Sequence, residues 1–500
     1  MRCVAVLVAT FFLGSAAWAS ALTDPLVEAQ LVTPQQAQGA DLFFRGTFGG
    51  NGRTCGTCHR VENNQTIDPP FIATLPGDDP LFVAENDPAP LGSLEKPILM
   101  RQFGLVLENV DGFSDPENIF VMRAVPHTLS LATSIARPPG ATTPQLERTG
   151  WSGDGAPGDG SLLSFSAGAV RQHFTRSLLR LDGTDFVGPT PAEAAALEAY
   201  MRSVGRLNEL NITSMTFTDP RASSGRDLFG GAGTSGARCR FCHTNAGANA
   251  AVSFDGGSGN HTVDTGVEAQ ENPARAIESF PLDGGEGLDL IPGHPASFGN
   301  GKFNVPPLIE AADTPPFFHN NSEATIEGAV RFYAGPFNDS AAAVQFGQFD
   351  LTEEQVEEIA AFLRVLNAGF NIAIARQRSA AAAALISKSS EPPVPCDSTG
   401  CLDPPPDTIT PTVFALLDLA NVEAQDALEV LDLPDPAADL NPTARARLVE
   451  AMALNEEAML VDTALIRKQL ILQAIAKLDA AKTNLGTGFN FQMGAGNLLF

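Results

Sequence analysis

The sequence predicts a mainly α-helical protein built as two homologous halves with a C-terminal helical extension. Three observations predict it. Landmarks recur in the same order, helical spacing dominates the readable patterns, and composition changes near residue 387. "GADLFFRGTFGGNGRTCGTCH" (39–59) is matched by "GRDLFGGAGTSGARCRFCH" (225–243), "RAVPHTLSL" (123–131) by "FNVPPLIEA" (303–311), and "GWSGDG" (150–155) by "FFHNNS" (317–322).

In chain order, Arg2, the apolar run "CVAVLVATFFLG" and the small residues ending at Ala19 read as a signal peptide over 1–19, with a buried N-terminal helix as the alternative. The mature chain is then expected to be exported, periplasmic or beyond, and soluble. No later segment reads as apolar enough to span a membrane. The first half, 20–215, closes on "TPAEAAALEAYMRSVGRL", with a Thr cap, Pro in the first turn and an early Glu. The second half, 216–387, closes on a helix of the same design starting at Thr352. A Pro-rich linker, 388–411, carries Cys396 and Cys401, a pair that an oxidising compartment could bridge. The extension, 412–500, shows apolar residues at helical spacing. It predicts a hairpin or small bundle packed on the second half, or a docking module for a partner.

Five hundred residues suggest two or three domains, and 44% apolar residues suffice for real cores. A formal charge of −27 argues against nucleic acid and anionic lipid as partners. It suits basic or neutral partners, and equally plain solubility.

The chemistry lies in two Cys-x-x-Cys-His segments, Cys55/Cys58/His59 and Cys239/Cys242/His243. Zinc needs four ligands and finds no fourth beside either motif. A thioredoxin-like dithiol needs a βαβ context, which is missing. A c-type haem uses every residue, with both thiols bonding the porphyrin and the adjacent imidazole binding the iron. Two such copies predict two covalent haems with His59 and His243 as proximal ligands, so the halves are expected to be cytochrome c-like haem domains.

The second half, "KFNVPPLIEAADTPPFFHNNSEATIEGAVRFYAG" followed by "LTEEQVEEIAAFL", resembles the bacterial di-haem cytochrome c peroxidase and MauG superfamily. There the pattern runs Phe-Lys-Val-Pro-Thr-Leu-Arg-Asn, then Ala-Pro-Tyr-x-His-Asp-Gly-Ser. The resemblance spans roughly 35–370, is looser in the first half, and stops short of the extension. It implies that His319 is the motif histidine near the second haem. The distal ligand stands fourteen residues later, at Tyr333, as in MauG. No Met lies between 216 and 451 to serve instead; His261 and His294 are the alternative ligands. A phenolate there would favour ferric or higher iron. The resemblance also implies an interdomain calcium at Thr314 and Pro316, with Asn109 from the first half.

In the first half, Trp151 matches the family's Trp, either packing on haem or relaying electrons between haems. The family's peroxide-handling Glu becomes Leu163 or Ser164, and its Gln becomes Thr149. A distal group that moves a proton must then come from His127, His173, Asp154 or Glu147; His127 could instead ligate the iron. The expected function is an exported di-haem oxidoreductase. It would reduce hydrogen peroxide, or dioxygen, with electrons from a donor protein or from a partner-protein substrate. A haem oxygenase resembling the rubber oxygenases, a MauG-like oxidase of a partner and a non-catalytic electron carrier remain open as alternatives.

Overall fold

The computed structural model describes residues 24–500 except 87–94, 110–114, 116–117, 138–146, 156–158, 232–236, 252–258, 288–296 and 390–408. The signal-peptide reading, the Cys396/Cys401 pair and His294 therefore lie outside the described residues.

Mainly helical elements follow one another with short strands between. α1 (Pro34–Arg45) starts at a reciprocal cap, in which Thr33 accepts from the Gln36 amide and the Gln36 side chain returns to Thr33. β1 (Leu105–Glu108) and β2 (Val121–Ala124) form an antiparallel pair. α2 (Leu162–His173) is capped by Ser161, and α3 (Pro191–Met201) by a Thr190/Glu193 box. β3 (Thr216–Phe217) leads into α4 (Pro220–Phe229), capped by Asp219. Five short strands follow. β4 (Asn249–Ala250) pairs with β5 (Gly259–Asn260), and β8 (Ser297–Asn304) lies between β6 (Thr262–Val263) and β7 (Leu282–Gly285). α5 (Ile326–Ala334) precedes α6 (Glu353–Ser389), a helix of 37 residues with Thr352 and Gln355 at its cap.

Each half is closed by a helix crossing at a glycine. α1 packs on α3, where a Cβ at Gly39 would stand 1.9 Å from the Ala196 carbonyl oxygen. α4 packs on α6, where a Cβ at Gly225 would stand 1.8 Å from the Glu358 oxygen. Gly39 and Gly225 are the first residues of the matched "GADLFF" and "GRDLF" stretches. The repeat in sequence is a repeat in helix packing, because only a residue without a Cβ lets the two backbones approach this closely.

The extension comprises α7 (Ile409–Glu429), α8 (Pro442–Leu460) and α9 (Ala464–Leu485), then β9 (Gly486–Thr487). α7 and α9 lie along α6, and α8 completes the bundle. One buried cluster runs from Leu197 and Tyr200 through Phe362 and Leu366 to Leu417 and Leu448, so the extension shares the core of the halves. The chain then turns back. β9 pairs with β3, and Asn497 exchanges two hydrogen bonds with Gly205, near the end of the first half.

The expectation that no later segment is apolar enough for a membrane span fails for α6. It meets that measure of length and composition, but 83% of its apolar window is buried, as befits the central helix of the bundle.

Candidate functional site

Each Cys-x-x-Cys-His segment lines its own cavity, and the two are built alike. Cys55–Cys58 is a single helical turn ended by the His59 amide donating to the Cys55 carbonyl at 2.9 Å. The His243 amide donates to the Cys239 carbonyl at the same 2.9 Å. The imidazoles are oriented by backbone carbonyls. Nδ1 of His59 lies 3.0 Å from the Gln65 oxygen, and Nδ1 of His243 lies 3.0 Å from the Pro306 oxygen and 3.3 Å from that of Gly247. A carbonyl only accepts, so Nδ1 carries the proton and donates, leaving Nε2 with a free lone pair. Burial lowers both histidines to about 4, which keeps that lone pair at neutral pH. This is the arrangement of a metal-ligating histidine with its outer-sphere acceptor in place.

The thiols fit a covalent attachment better than redox chemistry. Burial pushes Cys55, Cys239 and Cys242 up to about 12, so at neutral pH they are thiols, without the thiolate that disulfide exchange requires. Among the described residues no three His, Cys, Asp or Glu side chains converge as a metal cluster, which leaves zinc without its fourth ligand.

The first cavity, about 250 Å³, holds Cys55, Cys58 and His59 with Glu108, Arg123, His127, Asp154 and His173 on its walls. Burial lowers His127, and burial followed by the nearby Arg53 charge lowers His173 to about 3, so both stand as neutral imidazoles. Nδ1 of His127 is buried with no hydrogen-bond partner. Arg123 is fixed by Asp283 at 2.5 and 2.9 Å and by Glu108 at 3.1 Å. Arg53, beside the first cysteine, is clamped by Glu95 at 2.5 and 2.7 Å.

The second cavity, about 210 Å³, holds Cys239, Cys242 and His243 with His319, Tyr333 and a wall of phenylalanines. His319 stacks on Phe303, with ring centroids 3.9 Å apart, and its Nδ1 is buried without a partner. Tyr333 packs against Phe332, Phe337 and Phe349, and burial raises its phenol above the usual range.

The cavities share a wall. Trp151, His127, Asn304, Thr314 and Pro316 line both. The Trp151 indole donates to the Ala124 carbonyl at 2.7 Å, and its ring meets His319 edge to face with centroids 6.5 Å apart. Asn304 locks the Trp151 segment. Its backbone amide donates to the Trp151 carbonyl, and its side-chain amide donates to the carbonyls of Arg148 and Gly150. Beneath this wall the halves are joined by Arg206 and Glu310, both fully buried and 2.7 Å apart, with Ser130 donating to the same carboxylate oxygen at 2.6 Å.

Several expectations change. Leu163 does not stand over the first site; it is 41% exposed, and Ser164 does not line the cavity either. The Ser161 cap sets the register of α2 so that Leu162, Phe165, Ser166 and Ala169 face inward. Glu147 is structural, paired with Arg202 and accepting the Leu162 amide at 2.9 Å. Thr149 lines the first cavity but donates to the Gly160 carbonyl. His261 lines neither cavity. The calcium set does not assemble around Asn109, whose side-chain oxygen accepts from the Arg180 guanidinium at 2.8 Å and from Gln172 at 3.2 Å. A cation already occupies that oxygen, so the residues do not fit calcium there. Sequence reading missed Gln65, Asn304, Arg53 and the Arg206/Glu310 pair. Only Arg53 left a signal, an Arg two residues before the first Cys of its motif, where the second motif has Arg238 immediately before its first Cys.

No protein-family model matches the chain, and no curated protein matches it.

Proposed function

We propose that the chain is an exported di-haem c-type cytochrome of the peroxidase and MauG type, acting as a peroxide-linked oxidoreductase with a reactive first site and a relaying second site. The observation that carries this is the paired cavity, each walled by a buried Cys-x-x-Cys-His whose histidine donates Nδ1 to a carbonyl and keeps Nε2 free.

Cys55 and Cys58, and Cys239 and Cys242, would hold the porphyrins, with His59 and His243 as iron ligands. Bound there, haem supplies an iron that changes oxidation state and binds peroxide or dioxygen where a coordination position is open. At the first site, His127 and His173 are neutral bases facing the cavity and can take up a proton at a ring nitrogen. At the second, Tyr333 lines the cavity and would be a further ligand to the iron, with the phenylalanines around it keeping water out. Trp151, in the shared wall, supports a path for electrons between the sites. These would come from a donor protein or from a partner-protein side chain.

A second reading has its own support. Leu162, Phe165 and Ala169 give the first cavity an apolar side, as a haem oxygenase resembling the rubber oxygenases would use. The test begins with denatured protein from an exporting, haem-attaching host, which should retain two covalent haems. A folded, haem-free protein would sink both readings. Turnover of peroxide with a reduced cytochrome favours the first; oxygen uptake with an unsaturated hydrocarbon and no peroxide favours the second. A ferric spectrum with both irons low-spin would instead indicate an electron carrier.

A further inference from the structure

The C-terminal helices pack on the second half, yet their buried polar residues point at the first. Behind His59 the chain makes a tight corner, with both Asn64 (φ 54°) and Gln65 (φ 58°) in the left-handed region. That corner aims the Gln65 carbonyl at Nδ1 of His59. Two consecutive non-glycine residues in this region need outside support to persist.

The first half supplies some of it, with the Gln65 amide donating to the Arg60 carbonyl at 2.8 Å and Thr128 donating to the Gln65 side chain at 3.4 Å, and the extension adds to it. A small cavity of about 10 Å³ is lined by Asn64, Gln65, Arg378, Glu423 and Asn497. Glu423, on α7, is buried. One carboxylate oxygen accepts from Arg378 at 2.9 Å and the other, buried too, has no hydrogen-bond partner. One turn further along α7, Asp426 lies against the Asn64 side chain. Arg378 itself ties α6 to α7 through the Leu419 carbonyl and to the tail through that of Asn497. Asn64 also reaches the Asp313 carbonyl at 3.3 Å. The second site has a like corner at Asn245 (φ 57°) and Ala246 (φ 58°), but its Ala246 carbonyl accepts from the Leu308 amide of the same half, and His243 donates to Pro306 and Gly247 of that half.

We infer that the extension is a positioning element for the first site, with Asp426 and Glu423 of α7 holding the Asn64–Gln65 corner and, through it, the His59 imidazole. The inference rests on the di-haem reading. A histidine that donates Nδ1 to a well-held carbonyl is a more basic ligand and favours the higher oxidation state of its metal. Loosening the corner should therefore raise the reduction potential of the first haem and leave the second alone.

The experiment uses the full-length holoprotein and three variants. Asn64→Gly removes the side chain while glycine accepts the left-handed backbone. Asp426→Ala removes its α7 partner, and Asp426→Asn keeps an acceptor there. Covalent haem is counted first, then both potentials are measured by spectroelectrochemistry, with the iron–histidine stretch of the ferrous protein as a second readout. Asn64→Gly and Asp426→Ala should each raise one potential and weaken one iron–histidine stretch. The double variant should add nothing to the singles, and Asp426→Asn should restore the wild-type values. Two haems with unchanged potentials, or with both potentials moved equally, would overturn the inference and leave the di-haem reading standing. A wild type without covalent haem would overturn both.

Discussion

The two cavities begin with the same five-residue device and then diverge. His59 and His243 share their amide bond to the first cysteine, their Nδ1 acceptor distance and their lowered basicity. Around that common part, the first cavity gathers charged and proton-exchanging groups, while the second gathers aromatic rings about one phenol. The anchors differ as well. His59 is held by one carbonyl six positions on, whereas His243 has two, that of Gly247 four positions on and that of Pro306 63 positions away. The motif sets the common part of both sites; the surroundings give one charged and imidazole groups and the other aromatic rings.

Several experiments would break or sharpen this contrast. The largest effect should come from the thiols. Cys55→Ser with Cys58→Ser should remove one covalent haem and nearly all peroxide turnover, while Cys239→Ser with Cys242→Ser should remove the other haem, read by haem stain and mass. Loss of both haems from either pair would deny the sites their independence. Next, His173→Ala and His127→Ala should lower turnover if either carries the proton, by about 10²–10⁴-fold for the true carrier. If His127 is instead an iron ligand, its removal should turn a low-spin haem high-spin and raise turnover. A fast enzyme indifferent to both changes would show that the first cavity is not the reactive one.

Breaking the joint should disturb both sites together. Arg206→Ala leaves Glu310 buried and unpaired, and denaturant unfolding should register about 3–5 kcal/mol of lost stability. The paired crossings give a gentler test of equivalence. Gly39→Ala and Gly225→Ala should each cost about 1–3 kcal/mol as the backbones part, and very unequal losses would argue against matched halves. The smallest change is spectroscopic. Tyr333→Phe should alter the spectrum of one haem only, and an unaltered spectrum would remove Tyr333 as its ligand.

The helices that close the halves were legible because their caps are local chemistry: Thr190 with Glu193 and Thr352 with Gln355 read directly from neighbouring residues. The cysteine motifs were legible for the same reason, as spacing alone brings the imidazole beside the thiols. The face of α2 was not. One residue of register separates exposed Leu163 from buried Leu162, and a resemblance too loose to fix that register cannot say which side chain faces the cavity. The acceptors of the histidines were invisible in another way. Gln65 and Pro306 act through backbone carbonyls, which every residue possesses. The reach of the extension to the first half depends on where α7 lies along α6, and helical periodicity carries no such information.

The return of the chain to Gly205 has a consequence for how the molecule is made. The two bonds between Gly205 and Asn497 join residues 292 positions apart. Contacts of such long range form late, because the loop must close before any of its bonds can reward the closure. The junction between the first half and the C-terminal tail is therefore among the slowest parts of the fold to set. Until it sets, the first half, with Cys55 and Cys58, is held to the C-terminal tail by fewer bonds than in the finished fold.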